Sequence, residues 1–459
     1  MKNTLLAIFV VLLLILTACG CFPIEPSVTE ENPVEQPTDE PQEESTQETQ
    51  PASDTAYLVS KVDRLTAPPL SDPVTTNQIT GNNQFAFDLY QQLLADPELS
   101  TTNLFYSPYS ISSALAMTYA GAHSETEIQM EETLNYRGQT DTHEAFNALN
   151  QYFEKLNAIT AESEWEDFSL HINNALWGDQ TYNIQSEYLD TLAKYYGAGY
   201  FATDFIYNPE NSRMQINDWV SEKTNERIQD LLAPGTINSA TRVVLTNTIY
   251  FIASWVNEFD EMNTRDEPFT LLDGSTVQVP TMMTNDQYLY SARDGYQMIE
   301  LPYNGYQVSM FVILPEEGSF EQFESLLTAE KFSEMRESLT SESVDLYMPK
   351  FHAESSFSVN DMLASLGMTD AFDPDSADFS GISGSRDLFI SNIIHKAIVD
   401  LDEEGTEAAA ATAVIMELTS AMPVEETIEL RLDSPFIYAI VNPESGSILF
   451  MGRMLNPQE

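Results

Sequence analysis

The sequence predicts an α+β fold for a domain that follows an export signal and a polar linker. Helical spacing of apolar residues is concentrated early in the domain, whereas short strand-like runs follow later. The composition changes from polar to mixed at about Asn77, and no internal repeat is found. A length of 459 residues alone would suggest about three domains, but the first seventy or so residues lie outside the folded part.

Residues Met1–Ala18 predict an export signal. Lys2 supplies the positive start, and the apolar run Leu5–Leu16 is shorter than the roughly 20 residues of a membrane span. The signal ends in Leu16-Thr17-Ala18-Cys19, which resembles a bacterial lipobox. The resemblance implies cleavage before Cys19, a lipid on Cys19, and an extracellular, cell-surface lipoprotein that the lipid anchors to the membrane. An uncleaved signal anchor with an incidental cysteine is the alternative.

A linker is predicted for residues 19–70 and the folded domain for residues 71–459. Phe22–Ala56 is rich in Pro, Glu, Thr, Gln and Ser, and it contains no Lys or Arg. Such a segment cannot bury enough apolar surface to offset its ordering entropy, and its prolines and like charges favour extension. Its predicted role is to hold the domain away from a membrane.

Composition narrows the classes of function. The two cysteines, Cys19 and Cys21, both precede the domain, which therefore has no disulfide, no cysteine nucleophile and no cysteine-based zinc site. A secreted domain of this kind must rest on a large hydrophobic core. The formal net charge of −53 argues against nucleic-acid binding and favours a self-repelling monomer. Such acidity is equally compatible with a saline habitat.

Three early segments predict helices. Asn82–Ala95 has apolar residues at helical spacing, Pro108–Ala122 opens with proline in the first turn, and Ser212–Leu232 is amphipathic. The strand-like runs are Arg242–Phe251, Tyr306–Leu314, Ser343–Met348, Ile428–Leu432, Phe436–Val441 and Ser447–Gly452.

Motifs of catalysis are missing from the sequence. None of the five histidines lies in a His-Glu-x-x-His motif, and no Gly-x-Ser-x-Gly elbow occurs. Asp373, Asp375 and Asp378 lack the ligand spacing of a calcium loop. The sequence therefore predicts no enzyme, no metal site and no cofactor.

The segment Asp400–Met422 combines opposing conformational preferences. Its run of Ala and Thr favours helix, whereas Val414 and Ile415 favour strand. If this run entered an existing sheet, alternate residues would present one small or apolar face, made of Thr406, Ala408, Ala410, Thr412, Val414 and Met416. Glu407 and Glu417 would lie on the other face. On this segment alone, an alanine-rich surface helix or linker is an equal alternative.

Glu403–Ala413 resembles the reactive-loop hinge of inhibitory serpins nearly residue for residue. Other serpin-like motifs stand in family order between about Asn77 and Pro457, and several motifs at the right spacing are stronger than any one of them. They are Asn103–Ser112, Ile216–Val220, Leu245–Phe251 with Trp255, Met348–Phe351, Ile394–Ala397, Asp433–Phe436 and Phe450–Arg453.

The resemblance implies a serpin fold with three β-sheets, eight or nine helices and an exposed reactive-centre loop. It also implies an irreversible, suicide-substrate inhibitor of serine proteases, whose cleaved loop inserts into the main sheet. The hinge would comprise Glu403, Gly405, Thr406, Glu407, Ala408, Ala409, Ala410, Ala411 and Thr412. The residues implied to control sheet opening are Ser107, Ser110, Asn217, His395, Trp255 and Lys350, with Lys350 paired to Glu403.

Family spacing from Gly405 places the reactive bond at Thr419–Ser420, with Leu418 as a rival specificity residue. Thr419 implies an elastase-like target protease, and Leu418 a chymotrypsin-like or subtilisin-like one. No Lys or Arg lies between Gly405 and Leu430, which argues against a trypsin-like target. The alternative is a non-inhibitory serpin that acts as a surface binding or structural lipoprotein.

Overall fold

The computed structural model describes residues 55–161, 168–406 and 427–459. The predicted α+β class is confirmed. The helices in these ranges are α1 (Pro73–Ala95), α2 (Pro108–Tyr119), α3 (Ser124–Thr133), α4 (Gln139–Ala161), α5 (Ser186–Tyr196), α6 (Pro209–Lys223), α7 (Phe320–Ser325), α8 (Ala329–Glu337), α9 (Asn360–Ser365) and α10 (Ser380–Ser383). The described part thus has ten helices, where eight or nine were predicted. The difference comes from very short helices, since α7, α9 and α10 are only four to six residues long.

Twelve of the sixteen strands in the described ranges lie in the second half of the chain, after residue 242. The sixteen are β1 (Ala56–Leu58), β2 (Leu104–Tyr106), β3 (Ser169–Asp179), β4 (Tyr200–Thr203), β5 (Val243–Ser254), β6 (Arg265–Thr270), β7 (Thr276–Arg293), β8 (Tyr296–Pro302), β9 (Ser309–Pro315), β10 (Thr340–Pro349), β11 (Phe351–Ser358), β12 (Ile390–Leu401), β13 (Gly405–Thr406), β14 (Ile428–Arg431), β15 (Phe436–Val441) and β16 (Ile448–Met454).

Seven strands form one sheet, here called the main sheet, in the order β1-β4-β3-β5-β13-β12-β11. β5 and β12 also pair directly, in parallel, from Ile390/Val243 to Lys396/Thr248. The end of the sheet where β12 finishes at Leu401 is called its top. There the two-residue strand β13 lies between β5 and β12 and pairs antiparallel with both.

The remaining nine strands form a second hydrogen-bonded network, in which β7 is shared. The first part of this 18-residue strand pairs with β6 and β10, and its last five residues pair with β8. The prediction of three sheets therefore becomes two networks of strands, because one strand is long enough to belong to two of the expected sheets.

Helix α2 lies between the main sheet and the second network, and all twelve of its residues are buried. The helix begins where predicted. The Ser107 hydroxyl accepts a hydrogen bond from the Ser110 backbone N–H, and Pro108 occupies the first turn, where no N–H is needed. The backbone N–H of Ser110 in the first turn of α2 thus has a hydrogen-bond partner inside the core.

Helix α6 covers the outer face of the main sheet through its own apolar cluster, which includes Ile216 and Val220. It ends at Lys223, earlier than the predicted Leu232. The Thr224 hydroxyl donates to the Val220 carbonyl, and Asn225 and Glu226 have positive φ, so the chain leaves the helix there. Residues beyond Lys223 are irregular backbone, and Ile228, Leu231 and Leu232 pack in the same apolar cluster.

Residues 55–70, which were predicted as linker, lie against the folded domain. β1 pairs antiparallel with β4 at the edge of the main sheet. Farther along, the Leu65 N–H donates to the Lys194 carbonyl at 2.9 Å, and Arg64 bonds both carboxylate oxygens of Glu154 at 2.8 Å. The folded unit therefore begins before residue 71. No helix within the described ranges is long and apolar enough to cross a bilayer.

Candidate functional site: the top and centre of the main sheet

A tight turn at Asp402–Gly405 brings the chain back into the main sheet after β12. The Asp402 carboxylate accepts the N–H groups of Glu404 and Gly405, and the Asp402 N–H donates to the Gly405 carbonyl at 3.0 Å. A Cβ at Gly405 would stand 2.2 Å from the Ala253 carbonyl oxygen. The predicted hinge glycine is thus required by close approach of two backbones.

Thr406 is the last described residue of the predicted hinge, and it is already seated in the sheet. It pairs with Ala253 of β5 and Leu401 of β12, and only 1% of its surface is exposed. Its hydroxyl lies 2.6 Å from that of Tyr303, which is also fully buried. The side chain therefore points into the core with its polar atom satisfied.

Lys350 and Glu403 form the predicted charge pair at the top of the sheet. Their charged atoms are 2.5 Å apart, and the second carboxylate oxygen of Glu403 accepts from the Thr264 hydroxyl at 2.6 Å. Burial by itself would raise the pKa of Glu403, but the hydrogen bonds from Lys350 and Thr264 outweigh it, so that this pKa is lowered. The carboxylate is therefore held ionised.

Trp255 joins the hinge turn to the core. Its indole stacks on the Tyr303 ring with centroids 4.4 Å apart, and its ring N–H donates to the Asp402 carbonyl at 3.1 Å. Its backbone N–H donates to the Glu404 carbonyl. Trp255 thus contributes packing and two hydrogen bonds to the same turn. We call Thr264, Lys350, Glu403, Trp255 and Tyr303 the top cluster.

Below the top cluster, β5 and β12 are joined directly through buried polar side chains. His395 Nε2 accepts the Ser107 N–H at 3.1 Å, and its Nδ1 lies 2.6 Å from the side-chain oxygen of Asn247. The first contact requires an unprotonated Nε2, so Nδ1 carries the hydrogen and donates to Asn247. Burial lowers the pKa of His395 to about 3, which keeps the ring neutral.

The Asn247 amide nitrogen extends this chain of hydrogen bonds to α2 and β3. It donates to the Ser110 hydroxyl at 2.5 Å and to the side-chain oxygen of Asn174 at 2.6 Å. We call Ser107, Ser110, Asn174, Asn247 and His395 the central network. Sequence reasoning assigned no role to Asn174 or Asn247, although an asparagine within an otherwise apolar strand is a usable signal of a buried hydrogen bond.

Asn217 does not belong to the central network. On α6, its side chain exchanges two hydrogen bonds with the backbone of Leu232, at 3.0 and 2.8 Å. These bonds fasten the irregular segment after α6 to the helix that covers the main sheet. An influence of Asn217 on sheet opening would therefore act through α6, and it stays a prediction.

The central network contains serine and histidine, but its geometry does not form a nucleophile and base. His395 Nε2 already accepts a backbone N–H, and the Ser107 hydroxyl donates to the Leu449 carbonyl at 2.7 Å. No lone pair of this imidazole faces a serine hydroxyl, as nucleophile activation would require. The network can join or release two strands, and it shows no means of activating a nucleophile.

The rest of the predicted site lies outside the described residues. This applies to the hinge residues Glu407, Ala408, Ala409, Ala410, Ala411 and Thr412, to Leu418, Thr419 and Ser420 at the reactive bond, and to Cys19. Their roles stay predictions.

Comparison with known proteins covers most of the chain. The family model described as "Serpin (serine protease inhibitor)" matches residues 80–457. The leukocyte elastase inhibitor of Equus caballus is 39% identical over 388 residues, which are 82% of this chain and 99% of that protein. The native-state structure of tengpin, a thermophilic serpin, is similar with a TM-score of 0.75 and 29% identity, covering 88% of this chain and 99% of that one.

A second solved structure carries a different kind of description. The complex of thyroxine-binding globulin with thyroxine has a TM-score of 0.71 and 29% identity, covering 83% of this chain and 99% of that one. Similar folds thus occur in proteins described as protease inhibitors and in one described by the ligand that it binds.

Proposed function

Because the chain belongs to the serpin family, we propose that it is an irreversible, suicide-substrate inhibitor of serine proteases. The observation that carries this proposal is the position of Thr406, seated between β5 and β12 at the top of the main sheet. The two-residue strand β13 ends there, between β5 and β12, which pair with each other farther down the sheet.

The register of the two flanking strands supports continued insertion. At the top, Thr406 pairs with Leu401 on one side and with Ala253 on the other. At the centre, His395 pairs directly with Asn247. Between these two levels β12 and β5 therefore span the same number of residues. Opening the sheet would therefore require the two strands to separate without sliding. The gap would accept a strand at full length in one register.

Extending that register assigns a place to each later hinge residue. Ala408 would stand between Phe251 and Val399, and Thr412 between Asn247 and His395. These flanking side chains are all buried, at 5% exposure or less. Small residues at alternate positions are what such a gap accepts, whereas a charge would be buried without a partner. Thr412 would arrive where the Asn247–His395 hydrogen bond must break.

The change in backbone hydrogen bonding on insertion would favour the inserted state. The parallel ladder between β5 and β12 would be replaced by two antiparallel ladders, one on each side of the new strand. Antiparallel pairing is slightly more stable per residue, and the insertion would add backbone hydrogen bonds and bury apolar side chains. The uninserted state would thus be metastable, with the central network as the contact to be broken.

In the proposed mechanism, the protease attacks the carbonyl of Thr419, or of Leu418 as the rival. The serine oxygen forms an ester with that residue, and the peptide bond to the next residue breaks as its nitrogen leaves as an amine. Insertion then carries the ester-bound protease along the sheet before water can hydrolyse the ester. The chain itself supplies no catalytic group. The name of the horse relative supports an elastase-like target.

The alternative function is a non-inhibitory serpin that binds a ligand or partner at a surface. The similarity to thyroxine-binding globulin keeps this alternative open. The composition of the hinge favours inhibition, since Thr406–Ala413 contains no proline and only small residues at the alternate positions that would face the core.

The test compares two arginine variants one residue apart. Thr406→Arg places a cation in a buried position, which costs several kcal/mol even after relaxation. Glu407→Arg is the matched control, because in the proposed register residue 407 lies on the opposite face, beside the half-exposed Asp400. Each protein is incubated with a panel of elastase-like, chymotrypsin-like and subtilisin-like proteases, and complexes that resist SDS are counted.

Wild type and Glu407→Arg are expected to form such complexes. Thr406→Arg is expected to be cleaved between Leu418 and Ser420 and released as a substrate. Cleaved wild type should also melt at a clearly higher temperature than the intact protein. Equal inhibition by both variants, or cleavage without a gain in melting temperature, would exclude insertion and favour the binding protein.

We further propose that the chain is exported and anchored to the cell surface by a lipid on Cys19. The small residues before Cys19 and the charge-free apolar run support this, and Cys21 provides a matched control. In a bacterial host, Cys19→Ser should move the protein from the membrane fraction to the soluble fraction, whereas Cys21→Ser should leave it in the membrane. Membrane retention of Cys19→Ser would contradict the lipid anchor.

A further inference from the structure

A pocket of about 320 Å³ lies at the edge of the main sheet, where α6 passes over β1, β4 and β3. Its walls include four aromatic rings, from Tyr57, Phe201, Trp177 and Trp219. It is separate from the top cluster and the central network, and neither the inhibitory mechanism nor the predicted anchor uses it.

Strand register creates the aromatic wall. Tyr57 pairs with Phe201, and Phe201 pairs with Trp177, so three neighbouring strands place aromatic residues in one row. The Phe201 ring centroid lies 4.6 Å from that of Tyr57 and 4.3 Å from that of Trp177. Trp219 of α6 stands over this row, with its ring nearly perpendicular to that of Trp177. Tyr57 is 49% exposed, so part of the wall is open to solvent.

The rim of the pocket is acidic. Asp218 and Glu222 also line it, and their spacing of four residues puts them on one side of α6 with Trp219. Glu222 is paired with the neighbouring Lys223 at 3.2 Å. Asp218 is exposed and has no ion pair within the part of the chain that the structure describes. One carboxylate at the mouth is therefore free to meet a cation.

We propose that this pocket binds a small organic cation of the quaternary ammonium class. Aromatic faces attract cations through their negative quadrupole, and they also pack against the methyl groups of such a cation. The rim carboxylates exclude anions and add attraction at short range. The chain's own preceding segment cannot supply the cation, because residues 22–56 contain no Lys or Arg.

The first test separates charge from shape. Choline and its uncharged carbon isostere, 3,3-dimethyl-1-butanol, are titrated into the full-length protein at low salt, with tryptophan fluorescence and ligand-observed NMR as readouts. Choline is expected to bind about two- to fivefold more tightly than the isostere, as a cation–π contribution of about 0.5–1 kcal/mol requires. Equal binding of the two would reduce the site to an apolar pocket, and binding of neither would exclude it.

Variants then locate the site. Asp218→Asn and Tyr57→Leu are each expected to weaken choline binding about three- to tenfold, whereas Tyr57→Phe, which keeps a ring face, should retain it. Glu98→Gln removes an exposed carboxylate elsewhere and is the control for net charge. Protease inhibition should be unchanged in all four variants, so failure of this proposal is distinct from failure of the inhibitory function. An effect of Glu98→Gln equal to that of Asp218→Asn would overturn the site.

Discussion

At its top the main sheet holds β5 and β12 apart, whereas at its centre the same two strands hydrogen-bond directly. The top cluster contains an ion pair and stacked aromatic rings, and it already accommodates Thr406. The central network is neutral, and Ser107, Ser110, Asn247 and His395 are fully buried in it, with Asn174 partly buried at its edge. Burial lowers the pKa of His395 to about 3. The two regions share one register but differ in what a third strand would have to displace.

The top cluster and the central network therefore control the separation of β5 and β12 in different ways. At the top, the hinge turn already lies between β5 and β12 and supplies their hydrogen-bond partners. The ion pair between Lys350 and Glu403 fastens that turn to the sheet. At the centre, separation leaves buried donors and acceptors without partners until a new strand arrives, which is costly. We therefore expect changes in the central network to have larger effects than changes in the top cluster.

The largest effect is expected for His395→Leu. This variant leaves the Ser107 N–H and the Asn247 side-chain oxygen unpaired in the core, at a cost of roughly 1–3 kcal/mol for each group. The variant should melt at a lower temperature and form polymers on mild warming, measured by thermal melting and native gels. His352→Leu is the control, because His352 is half-exposed in its pair with Asp400. Equal melting of His395→Leu and wild type would mean that the central network does not hold the sheet closed.

A smaller effect is expected for Glu403→Lys. It replaces an ion pair by two like charges and removes the acceptor of the Thr264 hydroxyl, with an expected cost of about 1–3 kcal/mol. Glu354→Lys is the matched control, since it reverses the charge of the more exposed pair with Lys396 on the same sheet. Polymer formation at a fixed temperature should follow the order Glu403→Lys, Glu354→Lys, wild type. If the two variants behave alike, the position of the pair at the hinge is not what matters.

The smallest effect is expected from mild acid. A histidine whose pKa is lower in the folded chain than the unfolded value of about 6.5 binds its proton preferentially when unfolded, so stability is complete above that pH and falls below it. Burial lowers the pKa of His395 to about 3 and that of His143 to about 4. Each of these two histidines should therefore lower the free energy of unfolding by about 1 kcal/mol between pH 7 and pH 5.5.

Melting curves at these two pH values test this expectation. His395→Gln and His143→Gln should each show a smaller loss of melting temperature on acidification than wild type does. An unchanged pH dependence in His395→Gln would mean that His395 is protonated, or exposed, in the folded protein.

Much of the top cluster could be predicted from the sequence. A glycine followed by small residues indicated a segment able to enter a sheet, and the serpin resemblance paired Lys350 with Glu403. The structure has that pair and shows why the glycine is needed, through its contact with the Ala253 carbonyl. The start of α2 was likewise readable from Ser107-Pro108, because helix capping depends on adjacent residues.

Other features could not be predicted from local sequence. Tyr57 lies just after a linker-like composition, and its strand β1 is stable only because the edge of β4 offers hydrogen-bond partners. The end of α6 was predicted too late, since its amphipathic pattern continues into residues that pack on the same sheet as irregular backbone. In both places contacts with the rest of the fold decide the local conformation.

The sequence by itself determined the order of helices and strands, the hinge composition and the polar character of the positions at the sheet centre. Only the tertiary structure decided which polar groups meet. Asn247 and His395 are distant in the chain, and they bond because β5 and β12 pair in one register. Asn174 joins them from a third strand, β3. Backbone propensities act over a few residues, whereas register between distant strands is set by the packing of the whole core.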